Sequence, residues 1–236
     1  VGIVRADGKG TPTNLTLSGF NDDRAKWILG GKAMLWFSNR DGLKSVAQSG
    51  ASQQDAYAMF FSREAWDRFR LSKEDFALLK EEEEKKAKEK DKDKPKEGAD
   101  AAKDKEPKVE PLTIDLEDIA LRKARLTIHS STLGDALLSK DGETLYYLAR
   151  FERGLNLWTT SVRTRETKML LSLNANGGRM EWDKDQKNIF LLSDGSISKI
   201  EPGGGKREPV SIRGEMLLRP LLERLSIFDH VWRKTR

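Results

Sequence analysis

GGKAMLWFSNRDG, residues 30–42, sets five apolar residues in a row, Ala33 to Phe37, between a glycine pair and an Asn-Arg-Asp-Gly turn. A run this short, rich in aromatics and bounded by turn formers, reads as a strand buried on both faces rather than as a helix. A strand of that kind needs packed neighbours above and below it, so the next question is whether the pattern recurs.

It does, twice. KWILGGKAMLWFSNRDG, GDALLSKDGETLYYLARFERG and GRMEWDKDQKNIFLLSDG align by their turns. In each, a short strand closes on Trp27, Leu138 or Trp182, a turn follows at Gly30, Asp141 or Asp185, and a second apolar strand runs into NRDG, FERG or SDG. The last two copies lie 44 residues apart, the spacing of a four-stranded propeller blade. Blade two continues with strands at 155–162 and 167–173, and blade three with strands at 196–200 and 207–212.

The first two copies are 111 residues apart, so blade one must hold an insertion. Its third strand is DAYAMFF, and IDLEDIALRKARLT reads as the end of a third strand, a connector and a final strand. The opening VGIVRADGKGTPTNLTLSG supplies two strands around an Asp-Gly-Lys-Gly turn, half of a further blade. The expected fold is therefore all-β: a partial propeller of about three and a half four-stranded blades over 1–213. Closed propellers use about four to eight blades, and a blade buries its faces only against neighbours. The chain accordingly reads as a segment of a larger protein; a self-contained β sandwich with accidental repeats is the alternative.

The insertion, 62–110, changes period. SREAWDRFRLSKEDFALLKEEEEKK places Trp66, Phe69, Phe76 and Leu79 at helical spacing, with Ser62 and a position near Ser72 as starts, which predicts two short helices. Beyond Glu84 the stripe gives way to alternating charge, which predicts a solvated helix extension or disorder. Residues 81–108 hold ten lysines and eleven acids, a net of −1, so the formal +5 of the chain becomes +6 spread over the rest. GEMLLRPLLERLSIFDHVWRKTR, 214–236, carries Leu217, Leu218, Leu221, Leu222, Leu225, Phe228 and Val231 or Trp232 at helical spacing, with Pro220 near the first turn. It reads as an amphipathic connector toward a downstream domain.

Chemistry is sparse. The absence of cysteine removes disulfides and thiolate ligands, and no apolar run reaches the ~20 residues of a membrane span. The mild positive charge lacks a basic patch interleaved with aromatics, which argues against a nucleic-acid partner. The two histidines, His129 beside Ser130 and Ser131 and His230 after Asp229, form no HExxH pair and read as surface groups. Gly-Lys pairs occur without a phosphate-loop pattern, and the Asp-Gly pairs at 41–42, 141–142 and 194–195 are turn chemistry. Asp22, Asp23, Glu181, Asp183 and Asp185 are acids near strand ends, whose convergence on one cavity would be required for a propeller glycosidase. No catalytic residue, cofactor or metal is assigned.

Residues 14–69, together with IDLEDIALRKARLT and the tail from Gly214, resemble the tricorn-like proteases, a family of serine peptidases. Members combine β-propellers with a helical segment, a PDZ-like domain and a carboxy-terminal catalytic domain. The resemblance places this chain in the latter part of the second propeller and the start of the helical connector. It implies a non-catalytic role in scaffolding and gating oligopeptides for a downstream hydrolase, with the remaining blades and the PDZ-like and catalytic domains as partners. None of the matched residues is catalytic in the family. A propeller interaction module without enzymatic activity is the competing expectation, and oligomeric state and compartment, cytoplasmic or periplasmic, stay open.

Overall fold

The computed structural model of the protein describes residues 1–45, 52–92, 112–214, 217 and 219–235. Three four-stranded antiparallel sheets and one two-stranded sheet make up the body. The two-stranded piece pairs β1 (Gly2–Ile3) with β2 (Thr13–Asn14). Blade one holds β3 (Asp22–Ile28), β4 (Ala33–Ser38), β5 (Asp55–Phe60) and β6 (Lys123–Arg125). Blade two holds β7 (Thr132–Leu138), β8 (Thr144–Arg150), β9 (Leu155–Ser161) and β10 (Thr167–Ala175). Blade three holds β11 (Gly178–Trp182), β12 (Ile189–Ser193), β13 (Ser196–Ile200) and β14 (Arg207–Pro209). Each sheet keeps its strands in chain order, the meander of a propeller blade, so the fold is the expected partial propeller.

The core is a stack of layers between sheets rather than one centre. Alternation along β4 sends Ala33, Leu35 and Phe37 toward blade two, where they meet Leu138, Leu145 and Tyr147. Met34 and Trp36 point the opposite way, onto Leu15, with Ile3 of the half blade alongside. All six residues of β4 are buried, as the opening stretch requires. A third layer joins Leu137, Tyr146 and Leu148 of blade two to Met180, Ile189 and Leu191 of blade three. Each large side chain so buried contributes roughly 1.5–3 kcal/mol, and all of it depends on the neighbouring sheet. On the far face of blade three, Phe190 and Leu192 are exposed.

Turn chemistry sets the registers. Asp194 and Gly195 form the two-residue link between β12 and β13 with φ of 46° and 78°. Two successive positive φ values define the turn whose twist matches a hairpin, which explains a glycine there. Blade one departs from expectation at its return path. Residues 112–118 do not complete a third strand: they cross the blade as an irregular strap, followed by a turn of 3-10 helix at Ile119–Leu121 and then β6, which pairs β5. Arg122 explains the strap. Its buried guanidinium donates to the carbonyls of Phe60 (3.1 Å) and Glu117 (2.7 Å), so the backbone bends around the side chain instead of pairing.

The insertion leaves blade one between β5 and β6. Helix α1 (Arg63–Arg70) starts at Ser62, whose hydroxyl accepts from the Ala65 N–H at 3.2 Å. Helix α2 (Lys73–Lys92) starts at Ser72, whose hydroxyl accepts from the Asp75 N–H at 3.1 Å. Both starts match the sequence reading, but α2 spans 20 residues and is not short: the helix continues into the charged run as far as Lys92, with 81–86 exposed. The rest of the run, 93–111, lies outside the described residues, as does Leu218. Trp66 and Phe69 add to the layer between blades one and two through Phe60, with ring centroids at 5.4 and 4.5 Å.

Arg163, from the β9–β10 turn of blade two, closes α1. It donates to the carbonyls of Phe69 (3.0 Å), Arg68 (3.2 Å) and Leu71, pairs with Glu143 at 2.7 Å and lies 3.9 Å over the Phe76 ring. Last-turn carbonyls lack helical partners, and a cation there satisfies both their lone pairs and the helix dipole. Helix α3 (Pro220–Thr235) begins at Pro220 and has no buried residue. No described helix is long and apolar enough to cross a membrane.

Candidate functional site

The first strand of each blade, β3, β7 and β11, is an edge strand of its sheet. These edges converge, the position that lines the central channel of a propeller. Asp135 is where they meet. The residue is 4% exposed, and its carboxylate accepts from its neighbour's N–H on Ala136 (2.8 Å) and from the Met180 N–H of blade three (2.7 Å). It also binds the ammonium of Lys26 from blade one at 2.8 Å. Lys26 in turn donates to the Met180 carbonyl at 3.1 Å and lies 3.8 Å from Glu181. One acid and one base therefore knot three blades together, and the acid keeps every oxygen partnered, as a buried charge requires.

Bulges aim both ends of this knot. The β3–β4 register shifts between Asp23 and Lys26, and the β7–β8 register shifts between Leu133 and Ala136. A bulge re-aims the side chains around it. In β3 it places Arg24 at φ 52°, over the Phe37 ring and donating to the carbonyls of Leu133 and Gly134 in the next blade. In β7 the bulge carries Gly134, where a Cβ would press against the next layer, 3.1 Å from Leu148 Cβ and 3.0 Å from Leu155 Cδ1.

Two open cavities flank the knot. One, about 480 Å³, is lined by Arg24, Lys26, Arg150, Asn176, Arg179 and Glu181, among others. The second, about 410 Å³, is lined by Lys26, Trp27, Glu181, Trp182, Asp183 and Lys184, among others. Trp27 and Trp182 occupy equivalent repeat positions, and the environments differ. The Trp182 indole donates to the Leu138 carbonyl at 3.1 Å, whereas Trp27 packs on Phe61 at 5.3 Å and stays 56% exposed.

Of the five acids singled out in the sequence, Glu181 and Asp183 line the second cavity, and the other three do not. Asp183 accepts from the Lys187 N–H (2.6 Å) and the Asn188 side-chain amide (2.7 Å), and that amide above all holds its carboxyl below the usual range. Burial raises the Asp22 carboxyl, but hydrogen bonds from Ser18, Ser38 and Thr16 outweigh it and leave the net shift downward. Both are the reverse of a general acid, which needs its proton held at working pH. Asp23 takes a hydrogen bond from Gln54 at 3.4 Å, and Asp185 lies exposed in the β11–β12 turn.

His129 and His230 are both exposed. Ser130 donates to Asp55 at 2.7 Å and accepts from Arg125 at 3.0 Å. That pairing belongs to a buried network, since Asp55 also takes Thr127 (2.7 Å) and Arg125 (2.8 Å) and fixes the start of β5 to the end of blade one. Among the described residues no group of three or more His, Cys, Asp or Glu side chains is placed to hold a metal ion.

No protein-family profile and no curated protein matches the sequence. Solved structures do share the fold. TolB from Acinetobacter baumannii superposes with a TM-score of 0.52 at 13% identity, over 90% of this chain and 37% of that one. The tricorn protease superposes with a TM-score of 0.60 at 13% identity, over 98% of this chain and 21% of that one. The chain thus spans well under half the length of either protein. The class defined by fold and comparison is a β-propeller-like, all-β module with a helical insertion.

Proposed function

We propose that this chain is the non-catalytic propeller segment of a tricorn-like serine peptidase, scaffolding and gating oligopeptides for a hydrolase domain elsewhere in the protein. The observation that carries the reading is the inner edge of the three blades. Lys26, Asp135 and the Met180 backbone lock three strands around cavities whose walls are charged and aromatic. A locked polar edge guides an extended peptide without reacting with it. The shared fold with the tricorn protease supports the same assignment. On this reading 1–213 is the propeller part, with 62–110 an insertion within blade one, and 214–236 leads toward PDZ-like and catalytic domains.

The test is a comparison of two chains. The 236-residue chain should bind fluorescent oligopeptides without cleaving them, and a longer chain continuing past Arg236 should cleave them and be blocked by a serine-directed inhibitor. Cleavage by the purified 236-residue chain overturns the proposal. A second reading, a propeller interaction module without peptidase activity, draws support from α3, whose Leu221, Leu222, Leu225 and Phe228 are all exposed. A longer chain that binds partner proteins and cleaves nothing would favour it.

A further inference from the structure

We infer that the cavity of about 480 Å³ at the inner edge is an acid-side-chain site, selecting peptide segments that carry Asp or Glu; this rests on the peptide-gating reading above. Four basic side chains, Arg24, Lys26, Arg150 and Arg179, line it against two acids, Asp135 and Glu181. Asp135 is consumed by Lys26 and by two backbone N–H groups. Glu181 lies 3.8 Å from the Lys26 ammonium, and Asp194, outside the lining, accepts from the Asn176 N–H at 3.2 Å and keeps its charge. Among the described residues the hydrogen-bond partners of Arg24 and Arg150 are carbonyl oxygens, those of Leu133, Gly134 and Asn176, and Arg24 also lies over the Phe37 ring. These hold the guanidinium groups in place without neutralising them. Arg179, the second residue of β11, is exposed.

The result is a concave wall with three guanidinium groups, contributed by three different strands, that form no ion pair among the described residues and outnumber the one remaining acid of the lining, Glu181. Guanidinium forks match carboxylates in a two-point geometry, and a cleft of one sign concentrates ligands of the other. Gly177, where an added Cβ would meet nothing within 4 Å, leaves open space in the lining beside the arginines, so a peptide backbone can approach while its acidic side chains reach them. Phosphate groups share this chemistry, and the assay below separates them from carboxylates.

Fluorescence anisotropy with the 236-residue chain and labelled decapeptides containing four Glu, four Gln or four Lys tests the site. The Glu peptide should bind about tenfold more tightly than the Gln peptide at 50 mM salt, with the gap closing toward 500 mM as screening sets in. Arg179→Glu should abolish the preference, while Lys199→Glu, on the same blade but outside the cavity lining, should keep it. Inorganic phosphate at 5 mM should leave Glu-peptide binding within a factor of two. Equal binding of Glu and Gln peptides overturns the acidic preference and leaves peptide gating standing. Binding of no peptide overturns both, and full displacement by phosphate assigns the cavity to free anions and overturns the peptide site. Circular dichroism of each variant confirms that a lost preference is not lost folding.

Discussion

Replacement of Asp135 isolates the knot between blades. Asp135→Ala removes the carboxylate that receives Lys26, the Met180 N–H and the Ala136 N–H. Loss of one partner from a buried ion pair costs about 3–5 kcal/mol. Lys26, however, keeps a quarter of its side chain exposed and retains the Met180 carbonyl at 3.1 Å, so its share falls below that range, to about 2 kcal/mol. The two orphaned N–H groups add roughly 1 kcal/mol each, for a total of about 4 kcal/mol. Asp135→Asn, which keeps an acceptor oxygen, should cost about 2 kcal/mol on the same reasoning.

The readout is urea unfolding followed by tryptophan fluorescence, since Trp27 adjoins Lys26 in the chain and Trp182 closes the strand of Met180. At about 2–4 °C per kcal/mol for a chain of this size, Asp135→Ala should also lower Tm by about 8–16 °C. Combination with Lys26→Met should restore about 1–2 kcal/mol, because the unpaired ammonium is then gone. A wild-type midpoint for Asp135→Ala, or strict additivity in the double variant, would refute the knot.

Other consequences follow from the same contacts. Arg163→Ala withdraws the cation from two α1 carbonyls, from that of Leu71 just beyond the helix and from Phe76; hydrogen exchange in α1 and the first turns of α2 should rise at least tenfold while blade three stays protected. Burial raises the Asp141 carboxyl, but Ser139, the Glu143 N–H and Lys80 outweigh it and leave it below its ordinary value of 3.8. The stability it contributes is therefore complete above pH 3.8 and lost as pH falls through the lower folded value, and Asp141→Asn should flatten that acid limb in a pH series of melting curves. Leu225→Glu and Phe228→Glu on α3 should each change the unfolding free energy by no more than surface substitutions do, about 0.5 kcal/mol, because both side chains are exposed; a large loss would mean that the face is already covered.

Local signals carried much of this architecture. The apolar run at 33–37 announced a doubly buried strand, the Asp-Gly pairs announced hairpins, and Ser62 and Ser72 announced helix starts, because each depends on residues within a few positions. The IDLED segment of the strap reads from sequence as the end of a third strand, because the course of the strap depends on Arg122 reaching the Phe60 carbonyl, 62 residues away. Lys26 and Asp135 are 109 residues apart, and Lys26 reaches Met180 across 154, so no window of sequence contains the knot. The one local hint was Gly134-Asp135 inside an otherwise apolar strand, where a glycine marks a bulge. Glu181 drew attention as an acid near a strand end. The arginines of the cavity wall did not, since each lies in a different strand and looks like ordinary surface until the edges meet.

The most direct measurement is photo-crosslinking of an oligopeptide bearing a benzophenone side chain to the 236-residue chain, with the attachment points read by mass spectrometry. Attachment at 24–27, 132–135 and 178–182, the inner strands of all three blades, is the predicted result. Attachment confined to the outer strands β6, β10 and β14, or to α3, would contradict a guiding role for the propeller's inner edge.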